Sequence, residues 1–294
     1  MPIIDYQEVL KGLLVQEAMR RQVIRLPEQA SLEQAIRGTI KFKVNAILIT
    51  DEKLAGLGVV SKTDLMGAYY AGLPLSTACE AVMMGPPLFC RARDTLDLAL
   101  DAMRTNRVHR LYVRENGSRQ AAGVLAYPDI VGLLYRYCNK CERSWRSRSG
   151  PGKPLLDQLQ ISEVMTAGIY AHQEDDSLQT VMEGLATYRF GAVLIQTAAG
   201  RPAGVLSKTD LILAYKHGLP VDTRAAAIMT SPVQACDCRA PVVAALKTMI
   251  FSDVQRLLVY QDSPQNLVGV LSLSDVARFR SGTCRACLVS RIIS

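Results

Sequence analysis

The sequence predicts an α+β fold made of four copies of one β-α-β-β-α unit, arranged as two equivalent halves. The sequence segment that ends at Asp64 recurs as the segment that ends at Asp210, an offset of 210 − 64 = 146 residues. A weaker repeat, with an offset of 129 − 64 = 65 residues, lies within each half. Repetition at a fixed period indicates a duplicated structural unit. Units of about 60 residues bury too little surface to be stable alone, so we expect them to pair.

Each unit opens with a methionine and a short apolar run of strand length, followed by an amphipathic helix. In the first unit Ser31 is the predicted N-cap and Gln34 completes a capping box. In the second unit we expect Asp94 to be the cap. Two further strands follow, and a Ser-x-x-Asp segment or its equivalent opens the last helix. The predicted middle strands are Ala46–Ile49, Arg110–Val113, Ala192–Ile195 and Arg256–Val259.

The predicted units, numbered 1 to 4 from here on, span 12–72, 76–138, 158–218 and 222–284. A basic linker at 139–154 joins the halves and 285–294 is a tail. The linker has a Gly-Pro-Gly centre, five cations against Glu142, and the single Trp145. Such a segment can attract nucleic acid through phosphate contacts and stacking, but no motif for reading a base sequence accompanies it. We therefore expect a solvated tether and keep a nucleic-acid-interacting regulator as an alternative.

The Gly-hydrophobic-hydrophobic-Ser-x-x-Asp signature at the last strand-to-helix turn resembles the CBS domain family, whose domains occur in pairs called Bateman modules. The resemblance covers nearly the whole chain. It implies two tandem CBS pairs packed as a pseudo-symmetric disc, with nucleotide clefts between the paired units. It also implies that the motif aspartate holds ribose and that the Ser or Thr hydroxyls hold phosphate. The residues so assigned are Ser61, Thr63, Asp64, Asp129, Ser207, Thr209, Asp210, Ser272, Ser274 and Asp275.

These positions also make physical sense without the family. A helix N-terminus presents unpaired N–H groups and partial positive charge, which suits an anion. The alternative is that Ser at the N-cap and Asp three residues on are ordinary helix-start chemistry. Unit 2 departs from the pattern because Ala126 removes the hydroxyl, so we rank the site at Asp129 last.

Cations at the entry to the middle strand distinguish the units. Unit 2 carries His109 and Arg110, which resemble the His-Arg pair that binds adenylate phosphates in energy-sensing CBS proteins, and unit 4 keeps Arg256. An arginine offers bidentate geometry to phosphate. The alternative is that both arginines form surface ion pairs of little energy. The sequence contains no catalytic triad, no paired carboxylates with a base and no P-loop, so we expect no enzyme.

The cysteines are not explained by the resemblance. Two Cys-x-x-Cys motifs lie at equivalent positions of the halves and comprise Cys138, Cys141, Cys284 and Cys287. Four thiolates are a common ligand set for structural zinc or an iron–sulfur cluster. If equivalent points meet at a pseudo-twofold axis, these motifs form one metal site. A redox-active dithiol in each half and inert thiols are the alternatives.

Length and composition set the remaining bounds. The chain has 294 residues, 49% of them hydrophobic, and a formal net charge of +7. No apolar run is long enough to span a membrane, and the first residues do not resemble a secretion signal, so we expect a cytoplasmic protein with no membrane partner.

We therefore expect a regulatory sensor that binds an adenine nucleotide or a S-adenosylmethionine-like ligand. A metal- or redox-responsive scaffold is the second hypothesis, with zinc or an iron–sulfur cluster as its cofactor. The regulated protein is unknown, and the sequence leaves open whether two chains form a homodimer.

Overall fold

The computed structural model describes residues 13–115, 117–133 and 159–277, and every structural statement below concerns these residues. A four-residue helix, α1 (Val15–Ala18), precedes unit 1. Unit 1 comprises β1 (Arg25–Pro27), α2 (Leu32–Lys41), β2 (Ala46–Thr50), β3 (Gly56–Ser61) and α3 (Lys62–Tyr70). Unit 2 comprises β4 (Phe89–Arg91), α4 (Leu96–Thr105), β5 (Arg110–Arg114), β6 (Gly123–Ala126) and a helix, α5, at 127–133.

The second half repeats this order. A two-residue strand, β7 (Thr166–Ala167), precedes unit 3, which comprises β8 (Ala171–Gln173), α6 (Leu178–Thr187), β9 (Ala192–Gln196), β10 (Pro202–Ser207) and α7 (Lys208–Lys216). Unit 4 comprises β11 (Ala235–Asp237), α8 (Val242–Phe251), β12 (Arg256–Gln261), β13 (Ser263–Ser272) and a helix, α9, at 273–277. The predicted β-α-β-β-α order is confirmed in all four units.

The helix caps agree with the sequence in unit 1 and differ by one residue in unit 2. Ser31 caps α2, and its side chain and that of Gln34 form the expected capping box. The cap of α4 is Thr95, whose hydroxyl accepts a hydrogen bond from the Leu98 amide. Asp94, the predicted cap, instead accepts a 2.7 Å bond from the amide of Arg91 and so closes the preceding turn. Both residue types serve as caps, so composition alone does not choose between neighbours.

Each unit contains a small sheet in which the middle strand pairs with the first strand in parallel and with the last strand antiparallel. The opening segment of each half lies against the second unit of that half. In the second half it adds β7 to the sheet of unit 4, with Val270 opposite Thr166. In the first half the equivalent contact is a single bridge between Arg20 and Val124.

Two large hydrophobic cores hold the molecule together, and each combines units from both halves. One core contains buried residues of units 1 and 3, including Leu65 and Leu211. The other contains buried residues of units 2 and 4, including Leu100 and Leu246. A smaller cluster around Leu48 and Tyr112 lies between the sheets of units 1 and 2. Helices therefore join the halves, whereas sheets join the units within a half.

Reciprocal contacts across the halves show the pseudo-twofold arrangement expected of a disc. The rings of Tyr69 and Tyr215 stack with centroids 5.1 Å apart. The Tyr69 hydroxyl donates to the carbonyl of Leu219 over 2.7 Å, and the Tyr215 hydroxyl donates to the carbonyl of Leu73. Leu73 and Leu219 are themselves repeat-equivalent, so the two bonds are copies of one contact.

No helix in the described part of the chain is long and apolar enough to cross a membrane.

Candidate functional site

Two seams between paired sheets are the candidate ligand clefts. The first seam holds a small cavity between units 1 and 2, lined by Arg20, Gln22, Val23, Ile24, Val44, Ala46, Arg110, Tyr112 and Val124. The second seam is the equivalent region between units 3 and 4. The residues 146 positions later in the repeat are Thr166, Gly168, Ile169, Tyr170, Phe190, Ala192, Arg256, Leu258 and Val270. The bridge between Arg20 and Val124 has its counterpart in the pairing of Thr166 with Val270.

The three complete Ser-x-x-Asp motifs are capping boxes in the structure. The serine hydroxyl donates to Oδ2 of the aspartate over 2.7 Å in the pairs Ser61–Asp64 and Ser207–Asp210, and over 2.6 Å in Ser272–Asp275. The serine amide donates to the same oxygen. The ordinary helix-start function is therefore present at all three motifs. It also fixes each aspartate at the mouth of a helix N-terminus, where the resemblance implies ribose binding.

Asp129 in unit 2 has a different set of partners. Its Oδ2 accepts from the Ala126 amide over 2.9 Å, and its Oδ1 lies 2.8 Å from Nε of Arg20. Burial raises the pKa of this carboxyl, and the charge of Arg20 opposes that rise. The ion pair with Arg20, which local sequence patterns do not indicate, occupies the carboxylate that would hold ribose in the first seam.

Thr63 and Thr209 make a reciprocal pair of contacts between units 1 and 3. Nζ of Lys62 donates to Oγ1 of Thr209 over 2.8 Å, and Nζ of Lys208 donates to Oγ1 of Thr63 over 2.8 Å. Both lysines open their helices directly after the motif serine. Sequence analysis missed these lysines, although their presence in both Ser-Lys-Thr-Asp copies was a usable signal.

Arg110 and Arg256 are half-buried, and neither forms an ion pair with another described residue. Burial lowers the pKa of each guanidinium. Arg110 donates over 3.0 Å to the carbonyl of Ala46 across the first seam. Arg256 packs on Gly191, where an added Cβ would lie 3.0 Å from the guanidinium carbon.

The four cations lie close enough to affect one another. Burial lowers the pKa of Lys62; the charge of Asp210 opposes this, while the charges of Arg110 and Arg256 lower it further. Burial likewise lowers the pKa of Lys208; the charge of Arg256 adds to the effect and that of Asp64 opposes it. The region where the two halves meet therefore brings four cations together, with the motif carboxylates Asp64, Asp210 and Asp275 near them.

The remaining predicted nucleotide contacts are less informative. His109 is exposed and meets the ring of Tyr127 edge-on, with centroids 5.8 Å apart. Ser274 is half-buried in the first turn of α9. Neither position adds a contact that identifies a ligand.

One hydroxyl in the first seam lacks a hydrogen bond. Tyr112 is 3% exposed, and its hydroxyl lies beside the Arg110 guanidinium but forms no hydrogen bond of normal geometry with any described residue. Burial raises the pKa of this hydroxyl, and the nearby charge of Arg110 opposes the rise. The second seam has the smaller, apolar Leu258 at this position.

The predicted metal ligands Cys138, Cys141, Cys284 and Cys287 lie outside the described residues. Within the described residues, no group of three metal-ligating side chains is close enough to hold an ion. The described cysteines are free thiols. Burial raises the pKa of Cys90 to about 12 and that of Cys236 to about 11, so both are protonated at neutral pH and suited to packing.

Comparison with known proteins agrees with the fold. The family model described as CBS domain matches residues 15–71, 79–136, 161–217 and 225–282. A search of curated proteins gives no match. Protein MJ1225 from Methanocaldococcus jannaschii, described as a candidate archaeal homologue of γ-AMPK, is 13% identical with a TM-score of 0.76, covering 91% of this chain and 99% of its own.

Two further solved structures are similar. An uncharacterized conserved protein from Pyrococcus horikoshii is 16% identical with a TM-score of 0.59, covering 91% of this chain and 99% of its own. The CBS domain protein PAE2072 from Pyrobaculum aerophilum, solved with AMP, is 25% identical with a TM-score of 0.40, covering 44% of this chain and 99% of its own.

Proposed function

This chain belongs to the CBS domain family, and from that premise we propose that it is a regulatory protein that binds a phosphorylated adenine nucleotide in the seams between its paired units. No enzyme family is indicated by the comparisons, and CBS domains generally regulate the activity of other proteins. The proposal assigns the motif aspartates to ribose and the central cations to phosphate.

The observation that carries the proposal is the concentration of positive charge between the halves. Arg110, Arg256, Lys62 and Lys208 are all half-buried, and burial lowers the pKa of each. Buried charge is unfavourable unless it is paired and hydrogen-bonded. The motif carboxylates Asp64, Asp210 and Asp275 offset part of this charge from nearby. A phosphate group would add negative charge in direct contact, and arginine can bind it through two parallel hydrogen bonds.

This charge also distinguishes between the two ligand classes expected from the sequence. A nucleoside phosphate brings negative charge to the cation cluster, whereas the sulfonium group of a S-adenosylmethionine-like ligand brings positive charge. Like charges close together in a partly buried site repel. We therefore rank adenine nucleotides above adenosyl sulfonium ligands.

The Lys–Thr bonds between the halves suggest how binding could be transmitted. A phosphate that recruits Lys62 or Lys208 competes with Thr209 or Thr63 for the same ammonium group. A ligand changes the packing of the halves only if it binds one arrangement better than another. Competition for these two lysines provides such a difference, because the Lys–Thr bonds exist only across the interface.

Titration calorimetry with AMP, ADP, ATP and S-adenosylmethionine tests the proposal directly. We expect binding of at least one nucleotide, weakened by added salt and by Arg256→Met. Arg239→Met is the matched control, since Arg239 is exposed and pairs with Asp237 and Asp262. Absence of heat and of a thermal shift with all four compounds would overturn the proposal.

A further inference from the structure

The second seam differs from the first by a cluster of three aromatic rings. Tyr170, Tyr188 and Phe190 replace Ile24, Phe42 and Val44 of the first half. The rings of Tyr170 and Tyr188 have centroids 4.3 Å apart, and those of Tyr188 and Phe190 are stacked at 5.8 Å with an interplanar angle of 17°. Tyr170 packs against the core of units 1 and 3. The first-half counterparts Ile24 and Val44 line the cavity, and from this equivalence we place the cluster at one end of the second seam.

These rings are accessible. Tyr188 is 52% exposed and Phe190 is 37% exposed, whereas Val44, the counterpart of Phe190, is 7% exposed. Contiguous apolar side chains left in contact with water mark interaction surfaces or ligand-binding grooves, and tyrosine suits such surfaces because its ring is apolar and its hydroxyl is polar. The faces of aromatic side chains stack well on flat heteroaromatic rings, and this interaction tolerates any base.

A buried histidine packs against Tyr170 of the cluster. His172 is 5% exposed and meets the ring of Tyr170 edge-on, with centroids 5.1 Å apart. Its Nδ1 lies 2.9 Å from Oδ2 of Asp176, which fixes the orientation of the imidazole. Gly184 leaves room for both rings, because a Cβ there would lie 2.8 Å from Tyr170. Tyr170 is therefore packed firmly and does not depend on a ligand for its position.

The polar end of the second seam is also better suited to a nucleoside than that of the first. Asp275 follows the motif serine Ser272, and Thr166 stands where the first seam has Arg20. In the first seam Arg20 pairs with Asp129 and the motif serine is replaced by Ala126. Asp275 therefore has no equivalent of the ion pair that Arg20 forms with Asp129.

Resting on the proposed function, we infer that the second seam is the stronger nucleotide site and that the base stacks on Tyr170 and Phe190, with Tyr188 extending the aromatic surface. The ribose lies toward Asp275 and the phosphate toward Arg256. This arrangement gives the two halves different affinities although their folds are copies of one another.

The test uses the full chain, with AMP and ribose 5-phosphate as probes. The first variant, a double exchange, replaces two residues of the second half with the equivalent residues of the first half. Tyr170→Ile with Phe190→Val gives the second seam the residues of the first. Tyr188→Ala removes an exposed ring, and Phe42→Ala is its matched control, since Phe42 is 40% exposed at the equivalent position. Thermal unfolding checks that each variant is folded.

We expect the Tyr170→Ile, Phe190→Val double variant and the Tyr188→Ala variant each to bind AMP about tenfold more weakly than the wild type. This is the size expected for the loss of stacking on a base. Ribose 5-phosphate, which has no base, should bind these variants and the wild type equally, and Phe42→Ala should leave AMP affinity unchanged. Unchanged AMP affinity in the folded double exchange, or equal losses in Phe42→Ala and Tyr188→Ala, would overturn the inference. If wild-type protein binds neither AMP nor ribose 5-phosphate, the proposed function itself fails.

Discussion

Lys62 donates a 2.8 Å hydrogen bond to Thr209 from the opposite half of the chain, and Lys208 returns the same bond to Thr63. Each contact joins the first turn of one helix to the first turn of its repeat-equivalent partner. The charge of Arg256 acts on both ammonium groups and that of Arg110 acts on Lys62, while Asp210 and Asp64 partly offset them. The interface thus places like charges together at its centre, and this affects both stability and binding.

Removal of both lysine charges should stabilise the ligand-free protein. Folding lowers the pKa of Lys62 and Lys208 below 10.5, so between the folded pKa and 10.5 the unfolded chain binds more protons and stability rises with pH. We expect Lys62→Met with Lys208→Met to raise the thermal midpoint at neutral pH and to weaken ATP binding about tenfold.

Thermal unfolding with and without ATP measures both effects. The difference in thermal midpoint between the variant and the wild type should become smaller as the pH rises toward the ordinary lysine pKa. The wild-type lysines then lose their charge as well. A lower midpoint in the variant at neutral pH would contradict this account.

Gly191→Ala should weaken phosphate binding while the fold is retained. The added methyl group would collide with the guanidinium of Arg256 and force that side chain to move. Gly191 does not have a positive φ, so the backbone accepts alanine there. We expect ATP affinity to fall about tenfold in calorimetry, in line with a lost charged hydrogen bond.

The matched control for that variant is Asn45→Ala at the equivalent position of unit 1. The Asn45 side chain donates a hydrogen bond to Gln255 and does not contact Arg256 in the way that Gly191 does. Its loss should therefore lower ATP affinity much less. Equal effects of the two substitutions would show that Arg256 is not placed by Gly191.

Arg20→Thr, which copies the residue of the second half, should destabilise the protein in a pH-dependent way. Breaking the ion pair with Asp129 should cost about 1–2 kcal/mol at neutral pH, less than for a fully buried pair because the Arg20 side chain is 44% exposed. Burial raises the pKa of Asp129, so the folded state favours the protonated acid and loses stability as the pH rises through that pKa. Arg20 limits this loss.

The difference between Arg20→Thr and wild type should therefore be largest at neutral pH and should disappear as the pH falls through the Asp129 pKa. Chemical denaturation at several pH values measures it. A constant difference at all pH values would indicate that Arg20 acts through packing and not through its charge.

Ser207→Ala should cost about 1 kcal/mol of stability because it removes the cap of α7. The Ser207 hydroxyl accepts from the Thr209 amide over 3.2 Å and donates to Asp210. Ser207→Thr keeps the hydroxyl and should be close to wild type. Urea denaturation compares the two, and an equal loss in both variants would argue against a capping role.

The order of elements in each unit follows from the sequence because strand and helix periodicities and Ser caps are local properties. The predicted N-cap Asp94 was wrong by one residue for the same local reason, since Asp94 and Thr95 compete for one cap. The Arg20–Asp129 pair and the Lys–Thr bonds were not predictable in this way. They join residues more than 100 positions apart, and their existence depends on which faces of the units meet.

The aromatic cluster was predictable from the sequence only in part. Tyr170, Tyr188 and Phe190 are visible in the sequence, and alignment of the two halves shows that aliphatic residues replace two of them in the first half. Their proximity depends on how the end of α6 packs against the residues before β8. Our placement of the cluster beside the second seam rests on Ile24 and Val44, which line the cavity of the first half.

The two large cores each draw on both halves, and this has a consequence for any shortened form of the protein. A polypeptide limited to residues 13–133 would keep its sheet contacts but leave Leu65 and Leu100 without the partners that cover them. Such a fragment would need a second copy of itself to complete its interior. In the full chain the second half supplies these partners, so the protein is arranged as a covalently linked dimer of one repeated module. Its two copies carry different side chains at equivalent positions such as Arg20 and Thr166.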